Sequence, residues 1–244
     1  MTKRERRFKI EIPCSEKQVG NYYKILQERF GKDLIPPHSF LRAVPKKNPY
    51  GIIIITDNNR EVQGGIELYG LRGDFFDEYI AGDKADPDFR EEHCLDVQET
   101  IADGRLYCAI TILEFKTPSG HADNERIREI KQHLLIAAAS VIKKAYFKNP
   151  DARVSLSIYA IGASHLGKIL LKAAGFILED DGKIRKDGTQ RKDGMPLYCL
   201  YLRGNLLDSL PEELINRRAK GSTANHGDLE VIDRTMIGSS AKKS

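Results

Sequence analysis

The chain has 244 residues, 41% of them hydrophobic and 30% charged, with a formal net charge of +4. That balance excludes a disordered chain, and four dispersed cysteines exclude a disulfide-stapled miniprotein. The longest apolar runs, 134–139 and 197–202, are six residues each, against the ~20 that a membrane-crossing helix needs.

The charged start from Met1 to Arg7 leads into no apolar stretch, so a cytoplasmic location with reduced thiols is expected. Phe8, Ile10 and Ile12 alternate and predict a short strand. Ser15 caps a helix whose apolar residues run from Val19 to Phe30, and Gly31 ends it. The prolines from Pro36 to Pro49 predict a loop or irregular strand around Phe40-Leu41-Arg42. Gly51 to Thr56 and Val62 to Leu71 predict a hairpin turned by Asp57 to Arg60. Gly64-Gly65 inside its second strand predicts a bulge or a close backbone approach.

Residues 73–104 read as acidic and loop-rich, with a short helix near Phe75 to Ile80. A segment of that length points to function or mobility. Arg105 to Phe115 predicts a strong strand, Glu125 to Phe147 the longest helix, and Arg153 to Ile161 another strand. A helix over Ser164 to Ala174 stops at Gly175. Lys183, Arg185, Lys186, Arg191 and Lys192 form a basic run in a turn-rich loop, read as a solvated face. Pro196 to Arg203 is a last strand, and Leu206 to Lys220 a last short helix. The order β–α–β–β–loop–β–α–β–α–β predicts a mixed α/β fold.

This order, with the stretch SLSIYAIGASHLGKILLKAAGF from Ser155 to Phe176, resembles the GNAT superfamily of N-acetyltransferases over about residues 16–203. Ser164, Gly167, Leu170 and Gly175-Phe176 stand at positions of the family's strand-to-helix motif. Leu171 and Ala173 replace its Tyr and Lys. The hairpin and the strand LYCLYLR fit the same plan. A more distant similarity, to acyl-homoserine-lactone synthases, rests on the long segment before the central strand. The resemblance implies a GNAT-like mixed central sheet with helices on both faces, one domain over residues 1–220, and a flexible tail over 221–244.

It also implies an activity: transfer of an acyl group from a CoA or carrier thioester to an amine on a small molecule or protein. Acetyl-CoA or another acyl-CoA is the implied cofactor, with no metal. The family holds the coenzyme's phosphates in a glycine-rich turn at a helix start. Counting back from Leu134-Leu135 places Arg126 at its leading position, with Glu129 and Lys131 where small residues belong. A shifted register puts Ser119, Gly120 and His121 there, beside Phe115, and Ser164 touches the coenzyme from the later helix. Glu114 at the end of the central strand is the expected base, and Tyr159 stands in for the missing acid. An alternative is a catalytically inactive GNAT-like module that binds a protein or a nucleotide-like partner, with Glu129 and Leu171 as its marks. A nucleic-acid partner and a membrane are not expected, and a free edge strand leaves a homodimer open.

Overall fold

The computed structural model describes residues 8–113, 123–146, 155–161, 168, 171–172, 174–183, 191 and 194–203. Its centre is one mixed seven-stranded sheet with helices on both faces, the α/β class expected. Strand β1 is Phe8–Glu11, β2 Ile52–Asp57, β3 Val62–Tyr69 and β4 Arg105–Ile112. Strand β5 is Ser155–Ile161, β6 Ile177–Asp180 and β7 Leu197–Arg203. They lie in the order β1-β2-β3-β4-β5-β7-β6, with β4 and β5 parallel and every other pair antiparallel.

Helix α1, Glu16–Phe30, starts at Ser15. The Ser15 hydroxyl accepts from Gln18 N at 3.3 Å, and Gln18 Oε1 accepts from Ser15 N at 2.7 Å. Two first-turn donors are thereby satisfied. Helix α2, His38–Lys47, occupies the stretch expected to be a loop. Pro37 precedes its first turn, where a missing N–H costs nothing. Phe40, Leu41 and Val44 then share one fully buried face. That face outweighs Pro45, which lies inside the helix.

The four isoleucines of β2 are buried on both sides, which is why the sequence shows no alternation there. Ile53 and Ile55 pack towards helix α5, Asn124–Val141, while Ile52 and Ile54 pack under α1 and α2. Of the two expectations at Gly64-Gly65, the close backbone approach is met; the bulge lies next to the pair, with Gln63 as its extra residue between Ile55↔Gly64 and Thr56↔Val62. A Cβ on Gly65 would lie 2.8 Å from the ring of Tyr22, so α1 crosses the sheet there because nothing projects from β3.

Segment 73–104 is packed into the core. It contains helix α3, Gly73–Ala81, short turns at Asp86–Asp88 and Glu91–His93, and helix α4, Val97–Asp103. Phe75, Phe76, Tyr79 and Phe89 are buried, and Phe89 meets Phe40, Tyr69, Phe75, Tyr79 and Tyr107 edge-on. Arg105 pins α3 to the start of β4, bonding Asp103 at 2.9 Å and Asp77 at 2.5 Å. His93 stacks on Phe75 at 3.8 Å and the Cys94 thiol is buried.

The long helix ends in a π turn, Ile142–Tyr146. There Tyr146 accepts from the fully buried Asn48 side chain at 2.7 Å, tying the end of α2 to the opposite layer. Strand β6 was not foreseen in the sequence. The helix expected over Ser164 to Ala174 lies mostly outside the described residues, although Leu171 and Lys172 are helical. The helix from Leu206 and the tail lie wholly outside them. Of the basic run, Lys183 is exposed, but Arg191 is 2% exposed and donates to the Ile80 carbonyl of α3. The remaining members, Arg185, Lys186 and Lys192, fall outside the described residues.

Candidate functional site

A sheet interrupts its own hydrogen bonding only at a cost, because buried N–H and C=O groups need partners. Among the described residues, strands β4 and β5 pair from Arg105↔Ser157 to Tyr107↔Tyr159 and no further. β4 runs on to Ile112 and β5 to Ile161. On its other side β4 stays fully paired with β3 as far as Gly64↔Ile112. The sheet is therefore split above the Tyr107–Tyr159 row. Ala109, Ile110, Ile112 and Leu113 are only half-buried, as the wall of a cleft should be.

Row by row, the strand registers place the neighbours of this split. Tyr69, Tyr107 and Tyr159 form the row at its foot, with Tyr69 and Tyr107 stacked at 5.0 Å. One pleat higher, Glu67 of β3 lies beside Ala109 of β4. One pleat higher again, Gly65 lies beside Thr111. Side chains on this face pack with α1, α2 and α3, so Glu67 and the open half of β4 share a face.

Glu67 is 1% exposed and sits in a strand whose eight residues are all buried. A carboxylate so placed must be hydrogen-bonded or neutral. It is served by two hydroxyls: Tyr69 donates to one oxygen at 2.8 Å and Tyr22 to the other at 3.2 Å. Burial nevertheless pushes its carboxyl up to about 7, against the pull of those two donors and with help from the charge of Asp86. The Tyr22 hydroxyl also engages Thr111, so a line of hydroxyls runs from the unpaired part of β4 to Glu67. Sequence reading passed over Glu67. Its signal was a single carboxylate inside GGIELY, opposite a strand apolar on both faces.

The residues singled out from sequence are distributed differently. Tyr159 is half-buried at the foot of the split, edge-on to Phe76 at 5.5 Å. Burial raises its hydroxyl pKa, with a further push from Cys199. Arg126 lies in the first turn of α5, where its guanidinium reaches Gln63 of β3 at 2.8 Å and covers the Phe8 ring at 5.8 Å. Arg126 N is taken by the Asp123 carboxylate and the amides from Ile127 to Lys131 bond within the helix, so the stretch offers no cradle. Glu114, Phe115, Ser119, Gly120, His121 and Ser164 lie outside the described residues.

A coenzyme A molecule would ask two things of this site. The β5-facing backbone just above Tyr107, unpaired with β5 among the described residues, fits an extended amide-bearing arm laid into the split. The described start of α5 does not fit a diphosphate. The Asp123 carboxylate already accepts from Arg126 N there at 3.0 Å, and Glu125 adds a second negative charge to the first turn.

Two cavities flank these elements. One of about 260 Å³ opens at the end of β4 between Ile25, Glu28, Arg29 and Leu113, with Arg29 bonded to the Ile112 carbonyl. A larger one, about 470 Å³, lies among Lys47, Arg72, Glu92, Glu99 and Asp103. Its mixed charges are partly self-satisfied, since Lys47 already holds the Glu91 and Cys94 carbonyls at 2.9 Å. The smaller cavity adjoins the split; the larger borders α4, which leads into the opposite end of β4.

Fold and split together define a class: α/β proteins built on a mixed sheet that parts between two parallel central strands. No known family model and no curated protein sequence matches the chain. Solved structures similar to it include a GNAT superfamily phosphinothricin acetyltransferase from Sinorhizobium meliloti in complex with acetyl-CoA. That likeness has a TM-score of 0.44 at 12% identity, covering 81% of this chain and 89% of the other. An agmatine N-acetyltransferase mutant matches with a TM-score of 0.46 at 10% identity, over 81% and 100%. A mutant spermidine N-acetyltransferase from Vibrio cholerae matches with a TM-score of 0.42 at 10% identity, over 86% and 98%. Identities this low bring no substrate or activity with them.

Proposed function

We propose that this protein transfers an acyl group from a thioester to an amine, with the thioester's pantetheine-like arm lying in the β4–β5 split. The observation that carries the reading is that split, with Glu67 in the adjacent cross-strand row. Above Tyr107 the described residues of β4 and β5 are not paired with each other, which leaves β5-facing backbone groups for an amide-bearing arm, while the Ile112 carbonyl is already held by Arg29. A thioester bound there would supply an activated acyl carbon, and Ala109, the smallest side chain on that face of β4, would leave room for it.

The protein's own groups then handle protons. Glu67, with its carboxyl near 7, is matched to accept one at neutral pH. The amine's proton reaches it by way of Tyr22, whose hydroxyl gives its own proton to Glu67 as it takes the incoming one. Tyr159 keeps its proton at neutral pH and gives it to the departing sulfur. Glu114 remains a second candidate base, on its position just beyond β4. The 260 Å³ cavity beside Glu28 is wide enough for a small amine acceptor. The reading as an inactive binding module gains support from the acidic start of α5.

The test pairs binding with a blocking substitution. Acetyl-CoA, longer acyl-CoAs and free CoA are titrated while the melting temperature is followed, because a ligand specific to the folded state raises it. Ala109→Phe fills the split and should abolish the rise while leaving the unliganded melting temperature within a few degrees. No rise with any thioester at millimolar concentration would sink the proposal. A rise that survives in Ala109→Phe would move the binding site out of the split.

A further inference from the structure

The chemistry proposed for Glu67 leaves a second carboxylate in the same aromatic box unused. Asp86, in the turn at Asp86–Asp88, accepts from Tyr107 at 3.0 Å on one oxygen and from Tyr79 at 3.0 Å on the other. Glu67 is held in the same way by Tyr69 and Tyr22. The two sets meet where the Tyr69 and Tyr107 rings stack at 5.0 Å, and Phe89 closes the box edge-on against both rings. Two carboxylates, Glu67 buried and Asp86 half-buried, thus flank one aromatic cluster, each fixed by a pair of phenols.

Such a pair interacts through the stacked rings, and ionising one makes ionising the other harder. The groups that face Glu67 can be named from each element. They are Tyr22 from α1, Tyr69 from β3, Tyr107 from β4 with Cys108 behind it, and Asp86 from the turn after α3. The phenols and the thiol are neutral in this setting, since burial raises each of them. Asp86 is the member of the set whose charge pushes the Glu67 carboxyl up.

We propose that Asp86 is a positioning residue for Glu67: fixed by Tyr79 and Tyr107, its carboxylate sets the pH at which Glu67 releases its proton. Segment 73–104 would then tune the base from behind while making no contact with the reacting atoms. The functional side of this inference rests on Glu67 as the base; the coupling itself does not.

The experiment follows the Glu67 carboxyl band by difference infrared titration of the full chain, with Glu67→Gln subtracted in each background. Asp86→Asn should lower the Glu67 midpoint by about half a pH unit or more. Asp86→Ser, which still accepts from the phenols, should do the same, and Asp86→Glu should restore the midpoint. In active protein the acid limb of kcat moves by the same amount and KM stays put. An unmoved midpoint in Asp86→Asn overturns the proposal, and so does failure of both neutral variants to fold, which would make Asp86 a structural group. A midpoint that moves in a chain without acyl transfer would uphold the coupling and refute the reading of the site.

Discussion

Glu67→Gln isolates the cost of keeping a carboxyl in this core. The group's pKa rises from 4.5 to about 7 on folding. At 1.36 kcal/mol per unit, that is about 3 kcal/mol of difference between its neutral and ionised forms. Because the folded value is the higher one, the stabilising contribution is complete below about 4.5 and is lost as pH climbs through 7. Integrating between pH 5 and pH 8 gives a loss of about 2.5 kcal/mol. At 1% exposure the side chain has no solvent to screen it, so the figure is not discounted for surface screening. Glutamine lacks the titration but keeps one acceptor for a tyrosine hydroxyl, and the other hydroxyl can turn to accept from its amide. The stability of the wild-type chain relative to Glu67→Gln should therefore fall by about 2.5 kcal/mol from pH 5 to pH 8. Urea unfolding of both proteins at several pH values measures this, and the carboxyls not coupled to Glu67 cancel in the difference. A difference that does not change with pH would show that Glu67 titrates as an exposed group, and the argument for it as a neutral-pH base would go with it.

Gly65→Ala should destabilise the fold by about 1–3 kcal/mol, because its Cβ would sit 2.8 Å from the Tyr22 ring and 3.0 Å from the Ile53 carbonyl. Denaturant unfolding reads the loss, and a neutral result would mean that α1 is not seated as described. Asn48→Ala leaves the Tyr146 hydroxyl without its donor and Tyr50 N without its acceptor, and should cost about 2 kcal/mol in the same assay. Asp96→Ala removes the cap that accepts from Glu99 N at 2.9 Å and should cost about 1 kcal/mol. A loss below a few tenths in the last case would mean that α4 does not depend on its cap.

What was legible in the sequence followed periodicity. Four consecutive isoleucines, the Ser15 cap and the run RLYCAITI place their elements because one local pattern decides each of them. Helix α2 was hidden because its prolines speak locally for a loop, while its buried face speaks only once β2 is there to receive it. Strand β6 was hidden because it is four residues long and carries Ile177 and Leu178 exposed. Segment 73–104 looked like a loop because its acidic residues outnumber its aromatic ones, yet Phe75, Phe76, Tyr79 and Phe89 decide its packing. The candidate site was legible at Tyr159, whose strand neighbours set its row. It was not legible at Glu67. A lone glutamate in a strand reads as an outward-facing charge until the fold shows both faces covered and Tyr22 brought over Gly65.

The split also bears on how the protein keeps apart from other chains. Unpaired strand backbone invites a neighbour's strand, and the usual defence is to keep outer strands short or interrupted. Here the outermost strands, β1 and β6, have four residues each. The stretch of β4 above Tyr107 lies in the middle of the sheet, bonded to β3 on one side and, among the described residues, unpaired with β5 on the other. A slot of that kind admits a thin flexible ligand and rejects a second sheet, which could not bring its own neighbouring strands along. The interior position lets the chain keep reactive hydrogen-bonding groups without making them an aggregation edge.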